Sequence, residues 1–198
     1  FRVLLPQYLK RGPFRKVNNP PELASKLTQV EVETAYTKAA SQNWDDIRRI
    51  RDMWPGNLLV KGLSRPEDAL TAMEVGLEGV VISNHGGRYL DSAPAPLELL
   101  PEIRAAVGER LNLIIDSGAR RGSDIVKALA LGADMVMSGR PTLYGSAVAG
   151  EAGSYRALKI LHTEFDRVMA QLGLNSVDEI GPEIFWNPPD WTRGQGGR

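Results

Sequence analysis

The sequence contains no cysteine and only two histidines, His85 and His162. Disulfides, thiolate nucleophiles and cysteine-ligated metals are thereby excluded, as is a multi-histidine metal site within the chain. Neither sign of charge is in excess, since Lys+Arg and Asp+Glu both total 24. No bulk field therefore draws the chain toward nucleic acid or anionic lipid. Aromatic residues make up 7%, and Trp44, Trp54, Trp186 and Trp191 read as packing residues. No apolar run is long enough to span a bilayer, and the N-terminus carries no signal-peptide pattern. It starts at Phe1 rather than methionine, as a processed piece or a chain lacking a preceding segment would. What is present, 198 residues of which 42% are hydrophobic, suffices for one domain with a sizeable core.

Residues 1–40 carry Pro6, Pro13, Pro20 and Pro21 with weak periodicity and read as a long loop or excursion. From Trp44 the pattern turns helical, with Trp44, Ile47, Ile50, Arg51 and Trp54 on one face and Pro55-Gly56 as the stop. Asp45-Asp46 and Arg48-Arg49 read as its solvated side. Four strand-like runs follow, over 57–61, 79–83, 111–116 and 134–138, with helical segments over 66–75, 96–107 and 123–131 between them. Short apolar runs alternating with amphipathic helices indicate βα units and a parallel sheet. A faint repeat aligns Gly76-Leu77-Glu78-Gly79-Val80-Val81 with Gly132-Ala133-Asp134-Met135-Val136-Met137, each a helix closing on glycine before a strand. A last helix is expected over 154–172, with His162 as a packing or surface residue, and a flexible tail over 183–198.

Polar residues gather where these strands end. Lys61, His85, Asp116 and Arg140 all fall at or just beyond strand C-termini. Convergence of four consecutive strand ends is the pattern of a barrel, whereas a doubly wound sheet concentrates its site at one switch point. The loop Ser83-Asn84-His85-Gly86-Gly87-Arg88 carries a base able to take a proton near neutral pH beside a guanidinium able to grip a carboxylate. Such a pair suits chemistry on the carbon next to a carboxylate. Asp116-Ser117-Gly118-Ala119-Arg120-Arg121-Gly122 runs from a strand into a helix with Ser123 as its expected N-cap. It reads as a phosphate cradle strengthened by two arginines. Ser138-Gly139-Arg140 offers a second glycine backbone and guanidinium, and in barrels a phosphate often sits on the loops after strands seven and eight.

The ordered set Lys61-Gly62, Ser83 to Arg88, Leu90-Asp91, Asp116-Ser117-Gly118, Arg120-Arg121-Gly122-Ser123-Asp124 and Gly139-Arg140 resembles the FMN-dependent α-hydroxy-acid oxidases and dehydrogenases over about residues 41–182. The run from Trp54 to Leu63, with that from Arg121 to Ala133, looks most like the bacterial mandelate dehydrogenases. The resemblance implies an α/β fold, a (β/α)8 TIM barrel of which this chain supplies about strands 5–8 and the C-terminal helix. It implies oxidation of an (S)-2-hydroxy acid, mandelate-like, with the α-hydrogen ending on flavin N5. His85 would take the proton and Arg88 would bind the substrate carboxylate. Lys61 would lie near the flavin N1 and O2 edge, Ser83 would contact the flavin and Asp116 would hold the ribityl chain. The phosphate would rest on Gly118, Arg120, Gly139 and Arg140, with Ser117 and Ala119 completing that loop.

Two departures accompany the resemblance. Tyr89 stands where the family commonly has glutamine, and the family's first four strands are absent. Those strands supply a second carboxylate-binding arginine and the aspartate that orients the histidine. The chain is therefore expected to be the C-terminal half of a nicked, split or incompletely represented enzyme, with residues 1–40 as the mobile segment after strand four. Implied partners are the N-terminal half of the barrel, on the same or a separate chain, a small 2-hydroxy acid, an electron acceptor (oxygen, quinone or cytochrome) and further copies in a homo-oligomer, a tetramer. The implied location is cytoplasmic or peripheral on the inner face of the cytoplasmic membrane. The residues alone leave two rivals: a non-redox phosphate-binding barrel isomerase, and a non-catalytic half that only associates with its complement.

Overall fold

A computed structural model describes residues 42–186. The excursion expected over 1–40, and the tail from residue 187 on, lie outside the described residues. The chain divides into two compact units between Met53 and Trp54. The described part of the first is residues 42–53, which hold helix α1 (Trp44–Met53). Asn43 starts it: its side-chain oxygen accepts from the backbone N–H of Asp45 at 2.9 Å, and its own N–H donates to Asp46 at 2.9 Å. The reciprocal pair satisfies donors that a helix start leaves open. Ion pairs Asp45–Arg48 and Asp46–Arg49 lie along the expected solvated side.

The second unit contains β1 (Leu59–Leu63), α2 (Pro66–Glu74), β2 (Gly79–Ile82), α3 (Pro96–Val107), β3 (Asn112–Ile115), α4 (Gly122–Ala130), β4 (Met135–Val136) and α5 (Arg140–Leu172). The strands form one parallel sheet in the order β1-β2-β3-β4. Consecutive parallel neighbours joined by helices are the βα units of a (β/α)8 barrel. β2 is buried along its whole length, which accounts for a continuous Gly-Val-Val-Ile run in place of alternation. Ile82, Leu113, Leu100 and Ile103 are fully buried where β2 and β3 meet α3. Each such side chain contributes about 1.5–3 kcal/mol relative to exposure.

The internal repeat has a structural cause. After α2 and after α4 the chain turns through a left-handed glycine, Gly76 (φ +82°) and Gly132 (φ +101°). The next N–H then reaches back to close the helix, Leu77 to the Ala72 carbonyl at 3.0 Å and Ala133 to the Ala128 carbonyl at 3.1 Å. Only glycine adopts that turn without a Cβ penalty.

At the N-terminal end of the strands lies a buried arginine, Arg104 of α3, 4% exposed. It pairs with Asp134 and donates to the Gly132 carbonyl at 2.8 Å. Asp134 in turn accepts the Leu113 N–H at 2.7 Å. One guanidinium thus ties α3, β3 and the approach to β4 at the face of the barrel where side chains serve stability.

Three boundaries differ from the sequence expectation. α5 begins at Arg140, not Ser154, and bends at Ala149 and Gly150, whose torsions leave the helical region. Pro141 and the glycines at 145, 150 and 153 had hidden its first turns, although proline fits a first helical turn. α4 is capped at Arg121 rather than Ser123, because the Asp124 carboxylate accepts from the N–H groups of both Arg120 (2.9 Å) and Arg121 (3.0 Å). The packed chain also runs past residue 183. Ile184 and Phe185 lie against the cluster of Val126, Ala130, Met169 and Ile180. The tryptophans are not all packed: Trp54 is half exposed, its Nε1 donating to the Asn57 carbonyl at 3.0 Å, and Trp186 is fully exposed.

Candidate active site

The parallel register places the strand ends side by side. Ile82 pairs with Ile115, so the residues that follow, Ser83 and Asp116, are neighbours. Lys61 sits within β1 rather than at its end, because the strand continues to Leu63 through a register shift at Gly62. That irregularity still aims Lys61 across the sheet. It pairs with Asp116 and donates to Ser83 Oγ at 3.0 Å, while Ser83 Oγ lies 2.9 Å from Asp116 Oδ2. Burial alone would raise the Asp116 carboxyl. Hydrogen bonds from Lys61, Ser83 and the Ser117 N–H, with the charge of Lys61, outweigh it and hold that carboxyl below its ordinary value.

Ser83 is 3% exposed, and its hydroxyl also accepts the His85 N–H at 3.1 Å. From there the chain passes through three successive left-handed residues, His85 (φ +54°), Gly86 (+71°) and Gly87 (+75°). For a histidine this conformation is uncommon and costs about 1–2 kcal/mol. The loop is held from several directions. Asn84 Oδ1 accepts the Gly86 N–H at 3.0 Å, Ser117 Oγ accepts the same N–H at 3.0 Å, and Asn84 Nδ2 donates to the Pro94 carbonyl at 3.3 Å. Asn84 and Gly62 are the residues to which the sequence reading gave no role. Asn84 sits in the side-chain-to-backbone turn that asparagine favours. Gly62 (φ +103°) lies so close to the imidazole that a Cβ there would be 2.8 Å from His85 Nε2.

His85, Arg88 and Tyr89 face a cavity of about 430 Å³ whose other walls include Lys61, Asp116, Ser117, Gly118, Ala119, Arg120, Met137, Gly139 and Arg140. Every residue to which the resemblance gives a cofactor or substrate role lines this cavity except Ser83, which is bonded to Lys61 and Asp116 of its wall. Arg121 does not reach it. The side chain turns to Glu164 of α5 at 2.9 Å, and Glu164 also accepts the Gly122 N–H at 2.9 Å. The expected cradle is thereby corrected in one respect. The N–H groups of Arg120, Arg121 and Gly122 are already taken by Asp124 and Glu164, so those three amides are not available to an anion. His162 is exposed and faces Asp166 at 3.1 Å, as expected of a surface residue.

The charges of the cavity do not cancel. Asp116 balances Lys61, but Arg88, Arg120 and Arg140 join no ion pair among the described residues. A surplus of three guanidiniums beside glycine backbone, with a carboxylate able to accept from hydroxyls, fits a ligand carrying a phosphate, a polyol and a second anion. The phosphate and ribityl chain of FMN answer the first two parts of that description. Among the described residues no cluster of His, Asp or Glu could hold a metal ion.

The chain belongs to the FMN-dependent dehydrogenase family, whose model matches residues 5–187; FMN is the cofactor of that family. Among curated proteins it is 45% identical over 174 residues to (S)-mandelate dehydrogenase of Pseudomonas putida, a match covering 84% of this chain and 44% of that protein. L-lactate oxidase of Nostoc sp. is 45% identical over 137 residues, covering 69% of this chain and 38% of the oxidase. Pre-mycofactocin synthase of Mycolicibacterium smegmatis is 42% identical over 153 residues, covering 77% and 38%. The solved structure of monotopic membrane protein (S)-mandelate dehydrogenase superposes with a TM-score of 0.72 at 44% identity, covering 84% of this chain and 46% of that one. The chain thus spans less than half the length of the relatives it matches, and among its described residues no helix is long and apolar enough to cross a membrane.

Proposed function

We propose that this chain supplies the FMN-binding and proton-accepting half of an enzyme that oxidises an (S)-2-hydroxy acid, mandelate-like, to the 2-oxo acid. The observation that carries this reading is a constrained His85–Arg88 loop facing the same cavity as Arg120 and Arg140, with none of the three arginines joining an ion pair among the described residues. Arg120 and Arg140, with the amides of Gly118, Ala119 and Gly139, would hold the phosphate of FMN, and Asp116 the ribityl hydroxyls. Lys61, steadied by Ser83, would face the N1 and O2 edge of the ring. Bound FMN supplies the two-electron acceptor on which the α-hydrogen ends. Arg88 fixes the substrate carboxylate through paired hydrogen bonds. His85 takes a proton from the substrate as its C–O bond becomes C=O.

The described sheet has unpaired edges at β1 and β4 and exposes Leu59, Met135 and Met137. Open edges and apolar surface of this kind call for a covering partner. We assign that role to the other four strands of the barrel, whether in the same or a separate chain. An electron acceptor (oxygen, a quinone or a cytochrome) then reoxidises the flavin, the assembly is a homo-oligomer, and it works in the cytoplasm or against the inner face of the membrane.

The test is anaerobic titration of the complete, FMN-loaded protein with the S and R forms of mandelate and lactate, and with glycolate. Bleaching by S acids with accumulation of the 2-oxo acid supports the reading. A complete protein that neither contains nor rebinds flavin overturns it in favour of a non-redox phosphate-binding barrel. One that binds flavin but is reduced by no hydroxy acid overturns the substrate class.

A further inference from the structure

Tyr89 directly follows the His-Gly-Gly-Arg loop, at a position where the resemblance leads one to expect glutamine. Its ring contacts both functional neighbours. The ring centroid lies 5.2 Å from that of His85, with the two planes at 81°, an edge-to-face pair. The Arg88 guanidinium carbon lies 5.2 Å from the same centroid, within range of a cation–π contact. Tyr89 is also the one phenyl ring on the described wall of the cavity. At 63% exposed, it has most of its surface free to receive something.

From this geometry we propose that Tyr89 is a specificity-determining residue that selects 2-hydroxy acids bearing an aryl group on C2. The inference rests on the function proposed above, since it uses Arg88 as the carboxylate clamp and His85 as the base. A 2-hydroxy acid carries its C2 substituent on the carbon next to the carboxylate, two bonds from the carboxylate carbon. An acid held by Arg88 with its hydroxyl toward His85 therefore projects that substituent into the space these two residues share with Tyr89. An aryl group there gains the edge-to-face or offset contact that aromatic pairs favour, whereas a methyl group or hydrogen gains little. A glutamine at this position offers no ring.

Tyr89 is largely exposed on this chain, so its replacement leaves the core of this half intact. The complete, FMN-loaded protein is compared as wild type, Tyr89→Phe and Tyr89→Gln. The first readout is the ratio of kcat/KM for (S)-mandelate over (S)-lactate in anaerobic flavin reduction. The second needs no turnover: calorimetric Kd values for phenylacetate, whose ring sits on C2 as in mandelate, and acetate. Tyr89→Gln is expected to lower the mandelate preference and weaken phenylacetate by roughly tenfold each, leaving acetate unchanged, while Tyr89→Phe keeps wild-type behaviour. Equal weakening of phenylacetate and acetate overturns the inference, because Tyr89 would then only orient Arg88. Unchanged values in Tyr89→Gln overturn it too, as does a Phe variant that behaves like Gln. A wild type that binds neither carboxylate and reduces with no hydroxy acid overturns the proposed function itself, and this inference with it.

Discussion

Replacing Gly62 with alanine separates the placement of His85 from the stability of the fold. The new Cβ would lie 2.8 Å from His85 Nε2, where ordinary contact begins near 3.4 Å. The imidazole is the free end of a side chain, so it would swing aside by about 0.6 Å rather than force the backbone apart. Misplacing a reacting group by about 1 Å costs on the order of a hundredfold, so flavin reduction should slow by roughly ten- to a hundredfold. Alanine at φ +103° adds backbone strain of about 1–3 kcal/mol. Gly76 supplies the control: its φ is +82° and nothing lies within 4 Å of a Cβ there. Gly76→Ala should lose comparable stability and no activity. The assay is the anaerobic reduction rate by (S)-mandelate at saturating FMN in the complete protein, with thermal unfolding measured alongside. A folded Gly62→Ala enzyme with the wild-type rate, or a Gly76→Ala enzyme slowed as much, would refute the reasoning.

The two adjacent arginines of the 116–122 loop should part company. Arg120→Ala should weaken FMN by about 10–100-fold, the worth of a charge-assisted hydrogen bond, while Arg121→Ala should change FMN affinity by less than about twofold, since Arg121 is committed to Glu164; fluorescence titration of FMN reads both. Arg104→Ala should lower unfolding stability by about 1.5–3 kcal/mol, because it removes the buried guanidinium's hydrogen bonds to Asp134 and the Gly132 carbonyl; denaturant titration measures it. The depressed Asp116 carboxyl adds stability above the ordinary carboxylate pKa, and that increment is lost as pH falls through its lower folded value. The stability difference between wild type and Asp116→Asn should therefore hold from neutral to weakly acidic pH and shrink only below about pH 4; a difference that disappears near neutral pH would contradict it.

The order of elements was legible because burial leaves a direct trace. β2 is hidden on both faces and reads as an unbroken apolar run, and α2 and α3 announce themselves with Pro66 and Pro96 in their first turns. The candidate site could be picked out because strand ends in parallel register carry its charges and bring Lys61, His85, Asp116 and Arg140 to one cavity. What escaped depends on contacts remote in sequence. Glu164 claims Arg121 and Gly122 from 42 residues or more away, so the composition of the loop could not tell the ligand-facing arginine from the structural one. Asn84 and Gly62 act by holding a backbone and by leaving room for a ring, roles that no charge or periodicity marks. The early start of α5 was masked by glycine and proline, whose cost in helices is an average that a bend at Ala149–Gly150 and a proline in the first turn both evade.

The role proposed for His85 is that of the base in an FMN-dependent hydroxy-acid oxidation. Its most direct test is the visible spectrum of the complete His85→Ala protein, mixed anaerobically with (S)-mandelate beside the wild type. The variant is expected to keep its yellow flavin and to stay unbleached while the wild type is bleached. Full bleaching of the variant at the wild-type rate would contradict it.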